Sequence, residues 1–161
     1  MNTVDSKVVV EQLIRITSKE SRYLLRTAER LHALKIDIAW VKLLDDSDEN
    51  SEMLDAFVSR YSRLQDTLGD KLLPVLLRAS LEKAGTQLDN LLRAEKLGWI
   101  ESTESWVELR ELRNRMMHEY METPDDLLEA LQQALYSVPM LIETQRRMAE
   151  YAQQSVLNQK N

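Results

Sequence analysis

Hydrophobic residues recur at every third or fourth position along most of the chain, a spacing that predicts α-helices with one buried face. The first such segment runs from residue 5 to about residue 34, with Ile16 and Leu34 among the residues of its expected buried stripe, and the pattern resumes over residues 38–44. A second stripe extends from Leu54 to Leu76 and keeps its phase across a glycine. No segment alternates with the period of two that is typical of a half-buried strand. The pattern therefore predicts helices throughout.

Two features should interrupt the helices in the first half of the chain. The acidic run 45–50 has no apolar side chain to bury, so it is predicted to be a solvated loop with Ser51 as the N-cap of the next helix. It lacks the glycine and the distal glutamate of a calcium-binding loop. Pro74 cannot donate a backbone hydrogen bond to Asp70, so a kink or a restart is expected between these two residues.

The second half carries clearer helix boundaries. Thr86 and Asp89 have the spacing of a capping box, and Gly98 suits the left-handed end of the short helix that follows. Thr123 and Pro124 predict the start of the last helix, in which Thr123 is the cap and the proline occupies the first helical position.

The last helix is expected to be bent at Pro139 and to end in a polar, frayed tail from about residue 153. With only 3 glycines and 3 prolines among 161 residues, the whole chain is predicted to be one all-α domain, residues 1–161. Its expected architecture is an antiparallel up-and-down bundle of about five helices.

Charge and composition narrow the classes of function. The chain contains no cysteine, which excludes disulfides, thiolate nucleophiles and cysteine-based zinc sites. Because no charged-then-apolar leader and no apolar run of spanning length are present, a soluble cytoplasmic protein without membrane contact is expected. The net charge of −6 argues against a general coat for nucleic acid, so any contact with RNA must be local.

The two histidines are the side chains that titrate nearest to neutral pH. His32 has no partner pattern and is interpreted as a surface or packing residue. His118 lies one helical turn after Asn114, whereas Arg113 and Tyr120, seven residues apart, share the adjacent line. This helix can therefore present an amide, an imidazole, a guanidinium and a phenol, while a stripe of apolar residues turns towards the core. That stripe contains Leu109, Leu112 and Met116.

This set of side chains suits phosphoryl transfer within RNA. A histidine can move the proton of an attacking 2′-OH or supply one to the leaving 5′ oxygen, and an arginine can hold the phosphate and offset its growing charge. No metal or other cofactor is needed when the 2′-OH is the nucleophile. One histidine is few for two proton transfers, so a second copy from a partner chain is expected. An arginine and a histidine five residues apart are, however, more often structural when they occur alone.

The order Arg113-Asn114, His118 and Tyr120 near the end of the penultimate long helix resembles HEPN domains, and the trailing tyrosine resembles the HepT toxin branch. The segments 97–100 and 57–61 are similar to that branch as well, and the likeness extends from about Ser51 onward. The resemblance implies a helical bundle that forms a homodimer with its motifs facing each other. Met116, Met117 and Met121 are interpreted as packing or dimer-contact residues.

The resemblance also implies a function. Arg113 and His118 would be the catalytic residues of a metal-independent endoribonuclease acting on mRNA or tRNA, with Asn114 as a polar helper. Tyr120 would accept AMP from a minimal nucleotidyltransferase antitoxin. Two alternatives stay open: a non-catalytic subunit that binds nucleotide or substrate for such a nucleotidyltransferase, and a purely structural helical adaptor. The acidic net charge favours the first alternative, and the intact motif disfavours both.

Overall fold

The computed structural model describes residues 3–118 and 123–158, and all the regular structure in these residues is helical. This confirms the predicted all-α bundle. The α-helices are α1 Thr3–His32, α2 Ile38–Lys42, α3 Asp48–Asp66, α4 Leu73–Ala79, α5 Gln87–Lys96, α6 Thr103–His118 and α7 Pro124–Ala152. A 3₁₀ turn covers Leu44–Asp46, and π-helical turns cover Thr67–Leu72 and Gln153–Leu157.

The centre of the bundle is the helical segment 48–79, in which α3, the first π turn and α4 follow one another without a break. Its inward stripe is completely buried and packs against α1 on one side and against α6 and α7 on others. The residues of this stripe are Phe57, Tyr61, Leu64, Leu68, Leu72 and Leu76. Each such side chain contributes about 1.5–3 kcal/mol by leaving water, so this segment dominates the stability of the fold.

The buried face of α1 differs from the predicted one. Ile16 and Leu34, which were assigned to the buried stripe, are each 38% exposed, whereas Thr17 and Ser21 are buried. Thr17 is tolerated inside because its hydroxyl donates to the Leu13 carbonyl at 2.8 Å and accepts from the Gln145 amide at 3.3 Å. The prediction was wrong because small hydroxyl residues can be buried on a helix face, with the hydrogen bonds satisfied at Thr17 and with the Ser21 hydroxyl unpaired among the described residues.

The start of α3 is also earlier than predicted. The side chain of Ser47, and not that of Ser51, caps the helix by accepting a hydrogen bond from the Asn50 N–H at 3.2 Å. Asp48 and Glu49 then fall in the first turn, where negative charge is favourable beside the helix dipole. The acidic run is therefore a 3₁₀ turn followed by a helix start, and not a loop throughout.

The irregularity expected before Pro74 takes the form of a π turn. The Leu73 N–H donates to the Leu68 carbonyl, five residues back, in place of the usual partner four residues back. The bonding pattern is thus shifted within the turn before the proline removes a donor. The helix continues through this position with one extra residue in the turn.

The signals in the second half agree better with the structure. Both hydrogen bonds of the Thr86–Asp89 capping box are present, and Gly98 has a φ of 79°. Thr123 precedes α7 as predicted, but its hydroxyl donates to the Asp126 carboxylate and does not accept from the backbone. These boundaries depend on local hydrogen bonds, which the sequence specifies directly.

The last helix runs further than predicted. α7 passes through Pro139 without a break, and the π turn that follows it buries Val156, which is 1% exposed. Residues 153–157 therefore form a helical turn, and Val156 and Leu157 pack against the core.

A buried hydrogen bond joins the central segment to α7. The Tyr61 hydroxyl lies 2.7 Å from Ser137 Oγ, which in turn donates to the Ala134 carbonyl at 2.9 Å. Since the serine proton is used in that bond, the phenol is the donor to Ser137. Burial raises the pKa of Tyr61 to about 12.

We expect Ser137→Ala to cost about 1–3 kcal/mol, because it leaves the buried phenol without an acceptor. In the Tyr61→Phe background the same change should cost close to nothing, since no orphaned group remains. Urea unfolding of the two single variants and the double variant measures this difference. Equal costs in both backgrounds would show that the hydrogen bond does not stabilise the fold.

Candidate functional site

Helix α6 carries Arg113 and Asn114, two of the predicted site residues, and their side chains are in contact. The Arg113 Nη1 donates to Asn114 Oδ1 at 3.0 Å, and Nη2 forms an ion pair with Asp66 Oδ2 at 2.8 Å. The arginine side chain is 27% exposed, and its Nε is buried without a hydrogen-bond partner in the described chain. The guanidinium is therefore fixed between two helices with part of its donor capacity unused.

Asp66 was not identified from the sequence. It is the last residue of α3, and a second ion pair lies one turn further on, where Arg110 approaches Asp70 at 3.8 Å. The two arginines are three residues apart on α6, and the two aspartates are four apart on the central segment. Each spacing places two side chains on one face of a helix. The sequence alone does not specify that these two faces meet, and the ion pairs of the structure show that they do.

The close approach of these helices depends on Gly69 in the π turn. A Cβ atom at this position would lie 3.1 Å from Cζ2 of Trp106, a distance that forces the buried indole to move. Because glycine leaves this space free, the α6 backbone can come near enough for both ion pairs to form. The π turn, Trp106 and the two arginines thus form one packed junction.

An open groove of about 660 Å³ lies along α3 beside this junction. Asp66 and Met117 line its end nearest α6, and Arg63 and Lys71 provide positive charge. Ser62, only 6% exposed, also lines the groove, and its hydroxyl is buried without a hydrogen-bond partner among the described residues. The groove therefore has two cations and, with Asp55 and Asp66, two carboxylates in its lining, and Asp66 links it to Arg113.

Glu20 of α1 lies close to this groove. One of its carboxylate oxygens is 3.0 Å from the Thr67 hydroxyl, and the other is buried without a partner. Burial raises the pKa of Glu20 above its ordinary value, while Thr67, Arg63 and Lys71 offset part of that effect. The ionised carboxylate is thus destabilising in the folded protein at neutral pH.

The other predicted site residues are only partly placed. His118 ends α6 as described, but its side chain lies outside the described residues, as do Tyr120 and Met121. Helix geometry separates His118 from Arg113 by about 7.5 Å along the axis. Met116 is buried and Met117 is 46% exposed, so only the first of these is a core residue. His32 is exposed at the end of α1, in agreement with its interpretation as a surface residue.

Comparisons with protein-family models, curated proteins and solved structures gave no match. The resemblance to HEPN domains therefore remains a prediction. In the part of the chain that the structure describes, no cluster of three or more histidine, aspartate or glutamate residues could hold a metal ion. None of the described helices is long and apolar enough to cross a membrane.

We expect Glu20→Gln to raise the melting temperature at neutral pH, because it removes a charge whose burial is unfavourable. The unfolded state ionises first as the pH rises past about 4.5, so the penalty on the wild type grows from there upward. The gain from the substitution should accordingly be small below this pH and reach its full size above the raised pKa. Thermal unfolding followed by circular dichroism across this range tests it. A gain that is independent of pH would contradict the assignment.

Proposed function

We propose that this protein is a metal-independent endoribonuclease of the HEPN type, the toxin half of a pair with a minimal nucleotidyltransferase. The observation that carries the proposal is the position of Arg113. Its partly buried guanidinium contacts Asn114 and pairs with Asp66, a residue that lines an open groove, and it lies five residues before His118 on the same helix. The residue types and their order are those that the resemblance associates with cleavage of RNA.

The proposed reaction is an internal transesterification. The 2′ oxygen of the substrate attacks the adjacent phosphorus and loses its proton to a histidine, while the bond from phosphorus to the 5′ oxygen breaks. The leaving oxygen takes a proton from a second acid, and the products carry a 2′,3′-cyclic phosphate and a 5′-OH. Arg113 would offset the charge that develops on the phosphate oxygens. The second acid would be His118 of a second copy in a two-fold dimer.

The Arg113–Asp66 ion pair is compatible with this role on energetic grounds. Both side chains are partly exposed, at 27% and 44%, and pairs of this kind contribute only about 0–1 kcal/mol. A phosphate could therefore share or replace the carboxylate at small cost. The same pair also favours the alternative function, a non-catalytic subunit for a nucleotidyltransferase, because the arginine already has a partner of opposite charge.

Substitution of Arg113 and His118 distinguishes the ribonuclease from the non-catalytic subunit. Arg113→Ala and His118→Ala should each lower the rate of RNA cleavage by at least about 100-fold, because each removes a group that acts in the transition state. Arg110→Ala is a matched control, since Arg110 is on the same helix and also pairs with an aspartate of the central segment. Cleavage should persist in EDTA and leave 2′,3′-cyclic phosphate ends, which mass spectrometry of the fragments detects.

Full activity in the His118 variant would overturn the nuclease proposal, and so would loss of cleavage in the chelator. Equal losses in the Arg110 and Arg113 variants would indicate that the ion pairs act only by holding α6 in place. Absence of cleavage by the folded wild-type protein would favour the non-catalytic subunit.

The proposal includes regulation by AMP transfer to Tyr120. A nucleotide there would add bulk and a negative phosphate two residues from His118, where it would exclude substrate and repel its phosphate. Co-expression with a minimal nucleotidyltransferase encoded beside this gene should increase the intact mass by whole AMP units and abolish cleavage. The increase should vanish in Tyr120→Phe and persist in Tyr136→Phe, a control at a tyrosine that is 88% exposed. Inhibition without any change in mass would mean that the partner acts by binding alone.

A further inference from the structure

Three positive charges surround a single tyrosine where α1 meets α3. The Nζ of Lys19 and the Cζ of Arg26 each lie 5.6 Å from the centre of the Tyr23 ring, and the Cζ of Arg60 lies 5.4 Å from it. These distances are within the range of cation–π interactions. One ring on α1 thus gathers cations from two helices.

Arg60 is fixed in this position by hydrogen bonds across the helix pair. Its Nη1 donates to the Tyr23 carbonyl at 3.0 Å and to Thr27 Oγ1 at 2.6 Å. Within the described part of the chain, the ion pairs found do not include a carboxylate for Lys19, Arg26 or Arg60. The cluster therefore holds three like charges together, and none of the ion pairs found neutralises them, so the cluster can attract an anion.

The cluster continues as a band of positive charge towards the candidate site. Arg22 lies on the exposed face of α1 between Lys19 and Arg26, and Arg63 lies one turn after Arg60, lines the groove and is near the partly buried carboxylate of Glu20. Asp66, the partner of Arg113, follows Arg60 by six positions on α3, which is about 9 Å along the helix axis. In a chain whose net charge is −6, such a band is a local departure from the overall acidity.

We propose that this band, formed by Lys19, Arg22, Arg26, Arg60 and Arg63, binds the phosphate backbone of single-stranded RNA and directs it into the groove beside Arg113. The inference rests on the proposed ribonuclease function and adds to it the path of the substrate. A narrow row of cations fits a single strand, because sites for single-stranded nucleic acid follow the phosphate backbone with a row of positive charge. Attachment to an anionic membrane is disfavoured, since the acidic charge elsewhere on the chain would be repelled by an extended surface.

The test measures binding separately from cleavage, in the His118→Ala background. The variant Lys19→Gln, Arg22→Gln, Arg26→Gln removes three exposed charges from the band and leaves the hydrogen bonds of Arg60 in place. The control variant Lys42→Gln, Arg78→Gln, Arg146→Gln removes three exposed charges elsewhere, so that both proteins have the same net charge. Affinity for a fluorescein-labelled single-stranded RNA of mixed sequence is measured by fluorescence anisotropy at several salt concentrations.

The band variant should bind roughly 10- to 50-fold more weakly at about 0.15 M salt, and the slope of log affinity against log salt should fall by about 2. The control variant should bind within about twofold of the parent. Equal losses in both variants would overturn the inference, because net charge alone would then explain binding. The inference would also fail if the parent protein did not bind RNA. It would fail as well if the parent bound vesicles of anionic phospholipid and the band and control variants lost RNA binding equally.

The same proteins with His118 restored distinguish the two proposals. If the band variant cleaved RNA normally and bound single-stranded RNA as tightly as the parent, the RNA-binding role of the band would be wrong and the ribonuclease function would stand. Weakened binding of the band variant, without cleavage by any variant, would retain the RNA-binding surface and remove the nuclease function.

Discussion

The burial of the helical segment 48–79 is the constraint on which the rest of the structure depends. Its completely buried stripe can be covered only if α1, α6 and α7 pack around it, and each large side chain of the stripe contributes about 1.5–3 kcal/mol by leaving water. Polar connections such as the Tyr61–Ser137 hydrogen bond fix the positions of these helices and contribute much less. The residues of this segment that remain outside the core, among them Arg60, Arg63 and Asp66, contribute to the groove and to the cation cluster on the surface.

The candidate site lies where this packing is least regular. A π turn before Pro74 adds a residue to the central helix, and Gly69 within it leaves room for Trp106 of α6. The approach of α6 then pairs Arg113 with Asp66 and leaves an open groove between the helices. Irregular turns of this kind often occur at functional sites because they reposition side chains that a regular helix would direct elsewhere. The predicted catalytic arginine and the irregular packing thus lie at one place.

Charge is distributed unevenly over this acidic chain. Carboxylates dominate the start of α3, whereas cations concentrate on one face of α1 and on the adjacent part of α3. The hydrogen bonds of Arg60 to α1 make this concentration part of the helix packing and not a chance property of mobile side chains. Tyr23 reduces the cost of bringing the cations together, because its ring offers each of them a partial negative charge.

The sequence by itself determined the helical class, the capping box at Thr86, the turn at Gly98 and the stripe of α6, because each depends on residues within a few positions of one another. It also supplied Arg113 and Asn114 as neighbours, since adjacent residues cannot separate. Tertiary structure alone decided that Thr17 and Ser21 are buried, that Val156 still packs on the core, and that Asp66 is the partner of Arg113. These contacts join residues far apart in the chain, and local spacing does not specify which helix faces meet.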